Sequence, residues 1–217
     1  MSKEYLEGAN PLFIEGSTTG VLLIHGAGGG TTWDLKEFTN IVHEITGASV
    51  YVPALSGFGT RPEDLYAITF TDWLDDAKSA YEKLEQTCDK IFIVGHSMGG
   101  VLSLHLASKY PQTKAIVTWA AATAIKNKKL SLLPILMKTP ILNRFIPERI
   151  DTPAPEELKK LGWVGYDWLP ITIAFAILEG LKSVKNVIPL VKCPVLIIQG
   201  MNDEIVPQKC AKTIYNN

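Results

Sequence analysis

The chain has 217 residues, a length that suits one domain with a sizeable core or one domain carrying an insertion. Apolar residues make up 47% and the formal net charge is −1, which excludes a disordered chain and argues against a general affinity for nucleic acid or anionic membrane surfaces. Three cysteines, Cys88, Cys193 and Cys210, are odd in number and lack metal-ligand spacing, so reduced, mostly buried thiols and no metal site are expected. In chain order, residues 1–11 are polar and carry no apolar secretory core. No later run reaches the ~18 apolar residues of a membrane span, so no stable membrane insertion and a cytoplasmic setting are expected.

Residues 12–14 read as a short strand closed by Glu15-Gly16-Ser17, and residues 20–25 as a stronger one. The second is apolar throughout, as a central parallel strand should be. The glycine-rich stretch 26–32 then leads into a helix near residues 33–46. Residues 49–52 form the next strand, stopped by Pro53 and the turn Ser56-Gly57-Phe58-Gly59. Thr71 and Asp72 are expected to cap a helix running to about residue 87, with Trp73, Leu74, Ala77, Ala80, Tyr81 and Leu84 at helical spacing. Residues 91–94 read as a strand buried on both faces, and residues 101–109 as a helix. Further strands are expected at 114–119 and 193–200. Buried strands alternating with helices predict an α/β fold, a mostly parallel sheet flanked by helices with right-handed crossovers.

The alternation breaks between residues 120 and 191. This stretch is rich in proline (Pro134, Pro140, Pro147, Pro153, Pro155, Pro170) and in large apolar residues from Leu130 to Phe145. A loop of that length in a compact domain is usually a lid or binding element with structure of its own. The expected organisation is a core at 1–120, a cap insertion at 121–170 and a return to the core at 171–217, with a core helix over 171–186. An insertion that only enlarges the core is the competing reading. Lys126, Lys128 and Lys129 read as a solvated turn.

Between the strand at 91–94 and its helix lies Gly95-His96-Ser97-Met98-Gly99, a G-x-S-x-G turn. A serine on a sharp strand-to-helix turn has its hydroxyl pushed out of the fold, and flanking glycines let neighbouring backbone pass without Cβ clashes. This is a nucleophile elbow. A serine hydroxyl is a poor nucleophile by itself and needs a base, an orienter for that base and donors for the oxyanion. The amide of Met98, at a helix start where N–H groups are unpaired, is one candidate donor. The loop Gly26-Ala27-Gly28 supplies a second, with the Ala27 amide preferred and Gly28 as fallback. The same loop fails as a phosphate cradle. It lacks the Gly-Lys-Ser/Thr ending of a Walker loop, and Thr31 stands where the dinucleotide fingerprint needs glycine. Asp203, three residues beyond the last strand, would face the same sheet rim as Ser97 and is the candidate orienter; an Asx-type turn residue is the alternative.

On these three motifs, His25-Gly26-Ala27, the elbow and the loop from Gln199 to Pro207, the chain resembles the α/β-hydrolase superfamily. Within it, the likeness is to bacterial carboxylesterases and monoacylglycerol lipases. The resemblance implies hydrolysis of carboxylic esters by an acyl-enzyme route, without a cofactor. It makes Ser97 the nucleophile, Asp203 the acid, and the Ala27 and Met98 amides the oxyanion hole. It also implies a histidine some tens of residues after the acid. The four histidines here, His25, His43, His96 and His105, all precede Asp203. The resemblance therefore implies a chain cut short before its last strand, catalytic histidine and final helix, with impaired catalysis and an exposed apolar edge on the strand at 195–198. His96, beside Ser97, is expected to point its ring away from the serine. The expected ligand is a small-molecule ester. A thioesterase or peptidase on the same scaffold and a non-catalytic hydrolase-like binding protein are the alternatives, and oligomeric state is left open.

Overall fold

The computed structural model describes residues 4–126 and 146–217. The apolar run singled out above, from Leu130 to Phe145, lies outside the described residues. The elements are β1 (Leu12–Ile14), β2 (Ser17–Ile24), a short 3-10 turn at Thr32–Leu35, α1 (Lys36–Thr46), β3 (Ala48–Val52), α2 (Phe70–Glu85), β4 (Lys90–His96), α3 (Met98–Lys109) and β5 (Ala115–Trp119). After the undescribed stretch come β6 (Arg149–Asp151), α4 (Glu156–Lys160), β7 (Trp168–Pro170), α5 (Ile173–Val187), β8 (Val195–Ile198) and α6 (Lys209–Tyr215). The main sheet has the order β1-β3-β2-β4-β5-β8. Only β1 runs antiparallel to its neighbour; the other four pairings are parallel.

The unbroken apolar strands follow from a sheet covered on both faces. In β2, Leu22 and Ile24 join the large core under α2, α3 and α5, while Val21 and Leu23 join a smaller core under α1. Strand β4 repeats the pattern, Ile91 and Ile93 facing one way and Phe92 and Val94 the other. Side chains of successive strand residues alternate between faces, so two covered faces require apolar residues at every position. Trp73, Tyr81 and Leu84, on the stripe read from α2, are essentially fully buried.

Helix α2 begins earlier than its sequence suggested. Its N-cap is Thr69, whose hydroxyl accepts from the Asp72 amide while the Asp72 carboxylate accepts from the Thr69 amide. Asp72 is thus the reciprocal partner of the box and not its cap. Strand β2 likewise begins at Ser17, inside the expected turn, because Ser17 pairs with Ala48 before an irregularity in register.

Strands β6 and β7 form a separate antiparallel ribbon. The segment around it is moored to the rim of the main sheet. Thr31 Oγ1 donates to the Val164 carbonyl, the Tyr166 amide donates to the Gly29 carbonyl, and the Tyr166 hydroxyl donates to the Gly57 carbonyl at 2.8 Å. Tyr166 itself is buried and stacks on Phe58.

Candidate active site

Strand β4 ends at His96 and α3 opens at Met98, so Ser97 alone makes the turn. Its backbone has φ 53° and ψ −114°, a region that L residues rarely enter. Such a conformation costs on the order of 1–3 kcal/mol and persists only where its surroundings enforce it. The Ser97 amide donates to the Trp119 carbonyl at 2.8 Å, and the Ser97 carbonyl accepts from Gly100 at 3.0 Å. A Cβ on Gly95 would run into the backbone of Gly99, and one on Gly99 into the carbonyl of Ile24. The two glycines of the motif are therefore what let β4, β2 and α3 meet this closely.

Ser97 and Asp203 line one cavity of about 240 Å³, together with Gly26, Gly28, Ala120 and Val206. The side chains of Ala27 and Met98 are buried, 4% and 2% exposed. Only their backbone is therefore of use to a ligand. Met98 opens α3, where the first amides have no carbonyl one turn back to bond. Gly26 brings its loop against the elbow: a Cβ there would lie 3.1 Å from Ser97 Cβ and 3.4 Å from His96 Nδ1.

Asp203 is held by its own loop. Its Oδ1 accepts from the amides of Ile205 at 2.9 Å and Val206 at 2.8 Å, and its Oδ2 from Gln199 Nε2 at 3.3 Å. Partial burial pushes the carboxyl pKa up, but these hydrogen bonds and the charge of Lys126 outweigh it and carry it below the usual carboxylate range. Asp203 is both the turn residue and the cavity carboxylate. The Lys126 cluster thus has one member that acts on the site; Lys128 and Lys129 lie outside the described residues.

The histidines divide sharply. His25 is buried, its Nδ1 2.8 Å from the Gly26 carbonyl and its Nε2 accepting from the Leu55 amide at 3.2 Å. Burial lowers its pKa to about 4, so the ring is a neutral strut between two loops. His43 Nδ1 bonds the Ala48 carbonyl. His105 Nε2 meets Ser183 Oγ at 3.1 Å between α3 and α5. His96 is among the residues lining the Ser97 cavity, and its ring packs edge-on to Trp119. Burial lowers the His96 pKa, and the nearby Asp203 charge opposes that shift. Among the described residues, no hydrogen bond joins the His96 ring to Ser97.

A second cavity of about 420 Å³ adjoins the first and shares Gly28, Gly30, Asp34 and His96 with it. Asp34 escaped the sequence reading because nothing local sets it apart from a surface carboxylate. Its link to Trp163, at 2.8 Å, spans 129 residues of chain. Among the described residues no group of three or more histidine, cysteine, aspartate or glutamate side chains is placed to hold a metal ion. Nor is any helix among them long and apolar enough to cross a membrane.

Residues 17–217 match the family described as serine aminopeptidase, S33. The chain belongs to that family. It is 30% identical to a thermostable monoacylglycerol lipase of Bacillus sp. (strain H-257) over 221 residues, spanning 99% of this chain and 83% of the relative. A carboxylesterase of Bacillus subtilis (strain 168) is 28% identical, over 95% of this chain and 80% of its own length. Among solved structures, that of the metagenome-derived lipolytic enzymes LipS and LipT superimposes with a TM-score of 0.85 at 30% identity, covering 98% of this chain and 84% of that one. The monoacylglycerol lipase of Paleococcus ferrophilus shares the fold at a TM-score of 0.73 and 18% identity, over 95% and 82% of the two chains. The fold is the α/β-hydrolase fold, and its relatives are of esterase and monoacylglycerol-lipase type.

Proposed function

We propose that this chain is a serine hydrolase of carboxylic esters that acts through an acyl-enzyme on Ser97. The observation that carries the reading is the strained Ser97 turn, opening with Asp203 into one cavity between two backbone loops. In this reading the Ser97 oxygen attacks the ester carbonyl and loses its proton to a base. Oxygen charge then develops beside the Ala27 and Met98 amides, the alcohol departs with a proton, and water releases the acid from Ser97. Asp203, kept ionised by its amide donors, orients and stabilises the protonated base. Residues 121–170 serve as the cap over this site, between core segments 1–120 and 171–217. The mooring of Val164 and Tyr166 to the Gly29–Thr31 loop supports that division.

The base is the unfilled role. Three histidines are committed to other bonds, and His96 packs on Trp119 without reaching Ser97. The 217-residue chain is therefore expected to acylate slowly, since a serine without a paired base loses orders of magnitude in rate. The decisive experiment is fluorophosphonate labelling and p-nitrophenyl butyrate turnover, with Ser97→Ala and His96→Ala as variants and added imidazole as a surrogate base. Slow labelling confined to Ser97 and accelerated by imidazole is the expected result. No labelling under any condition would favour a hydrolase-like binding protein. Ordinary turnover abolished by His96→Ala would make His96 the base and overturn the expectation of impaired catalysis.

A further inference from the structure

The larger of the two cavities is unlike a pocket for an acyl chain alone. Its wall includes three of the five tryptophans, Trp33, Trp119 and Trp163, together with the Asp34 carboxylate. Among the described residues that line it, none is lysine or arginine. Asp34 Oδ1 accepts from Trp163 Nε1 at 2.8 Å, which fixes the carboxylate against the indole. Asp34 Oδ2 packs against Gly30 and has no hydrogen-bond donor among the described residues. His96, which lines both spaces, has its pKa lowered by burial, which favours the neutral ring. Arg149 lies away over Trp168, and Lys126 exerts its charge on Asp203 in the neighbouring space.

We infer that this cavity takes the ammonium group of a cationic ester, with Asp34 as its counter-charge and the indoles of Trp33, Trp119 and Trp163 as its wall. Indole is the best aromatic partner for an organic cation, and the Asp34 carboxylate, although solvent-exposed, lines the same cavity and supplies the opposite charge. The neighbouring protein raises the Asp34 pKa by partial desolvation, against the bond from Trp163, and a cation beside it would favour the ionised form. The four residues shared between the cavities bring the bound group next to the Ser97 cavity. The same wall disfavours strongly anionic substrates such as acyl-CoA. The inference names the substrate class for the ester-hydrolase reading and rests on that reading for its catalytic meaning.

Binding can be measured without turnover, because three tryptophans of the wall report on it. The native chain is titrated with choline and with the carbon isostere in which tert-butyl replaces trimethylammonium, and tryptophan fluorescence is followed. Saturable quenching by choline at roughly tenfold lower concentration than by the isostere is expected, with the difference erased in Asp34→Asn. Asparagine keeps an acceptor for Trp163, and a melting curve checks that the variant folds. Equal responses to the two ligands, or a choline preference that survives Asp34→Asn, would overturn the inference. In parallel, butyrylcholine is compared with the neutral isosteric ester in kcat/KM. Turnover of p-nitrophenyl butyrate without preference for butyrylcholine sinks the cation site and leaves the hydrolase. Choline binding with no labelling of Ser97 sinks the hydrolase and leaves the site.

Discussion

His25 shows how one side chain can hold a loop that another residue uses. Its ring ties Gly26, on the proposed oxyanion loop, to Leu55 on the loop after β3, and does so only while Nε2 can accept a proton from the Leu55 amide. Protonation would turn that acceptor into a donor facing a donor. The folded pKa of about 4 lies below the usual histidine value, so between pH 6.5 and 4 the unfolded chain binds a proton that the folded chain refuses. Stability from this group is therefore full above pH 6.5 and is lost as pH falls toward 4. At pH 5 the loss from His25 amounts to about 2 kcal/mol. His105, also lowered to about 4 by burial and by Lys78, adds in the same direction. Urea unfolding at pH 7.5 and pH 5 checks this, with His105→Gln expected to shrink the difference; equal stability at both values would show that His25 does not stay neutral.

Segments far apart in the chain meet on Tyr166. Its hydroxyl donates to the Gly57 carbonyl at 2.8 Å and accepts from the Thr60 amide at 2.9 Å. Tyr166→Phe keeps the stacking on Phe58 but strands a half-buried donor and acceptor, an expected cost of about 1 kcal/mol or more. Thr69→Ala, which removes only the N-cap of α2, is expected to cost about 1 kcal/mol. Thermal melts of both variants rank the two effects; a silent Tyr166→Phe would mean that the ribbon segment is not fastened there. The contrast marks what could be read in the sequence. The elbow was legible because its strand, its glycines and its serine are contiguous, and β2 and β4 because two covered faces leave an unbroken apolar run. The Thr69 box was also local, as Thr-x-x-Asp, but the adjacent Thr71-Asp72 pair mimicked it. Tyr166 and Asp34 were not legible, because each acquires its partner only when the rim loops and the ribbon segment converge. No spacing along the chain encodes that convergence.

The two faces of the sheet are not covered equally toward β8. On the side of α3 and α5, Val195 and Ile197 pack against the large core, and Cys210 and Ile214 of α6 extend that cover. On the opposite side the smaller core ends near Phe92 and Val94. Beyond it Trp119, Leu196 and Ile198 are exposed, at 42%, 59% and 45%. Trp119 and Ile198 are direct cross-strand partners, so the exposed residues form one apolar strip along β5 and β8. Strand β8 is also the outermost strand of the sheet among the described residues, paired only with β5. An apolar face beside an unpaired ladder is a template for edge-to-edge association. The 217-residue chain is therefore expected to self-associate with rising concentration. Leu196→Lys, a substitution at an exposed position, should suppress that association and leave the melting transition nearly unchanged, because a lysine on an edge strand resists pairing without removing core contacts. Sedimentation velocity over a concentration series compares the two proteins. A native chain that stays monomeric throughout would mean that the strip and the ladder beside it are already protected.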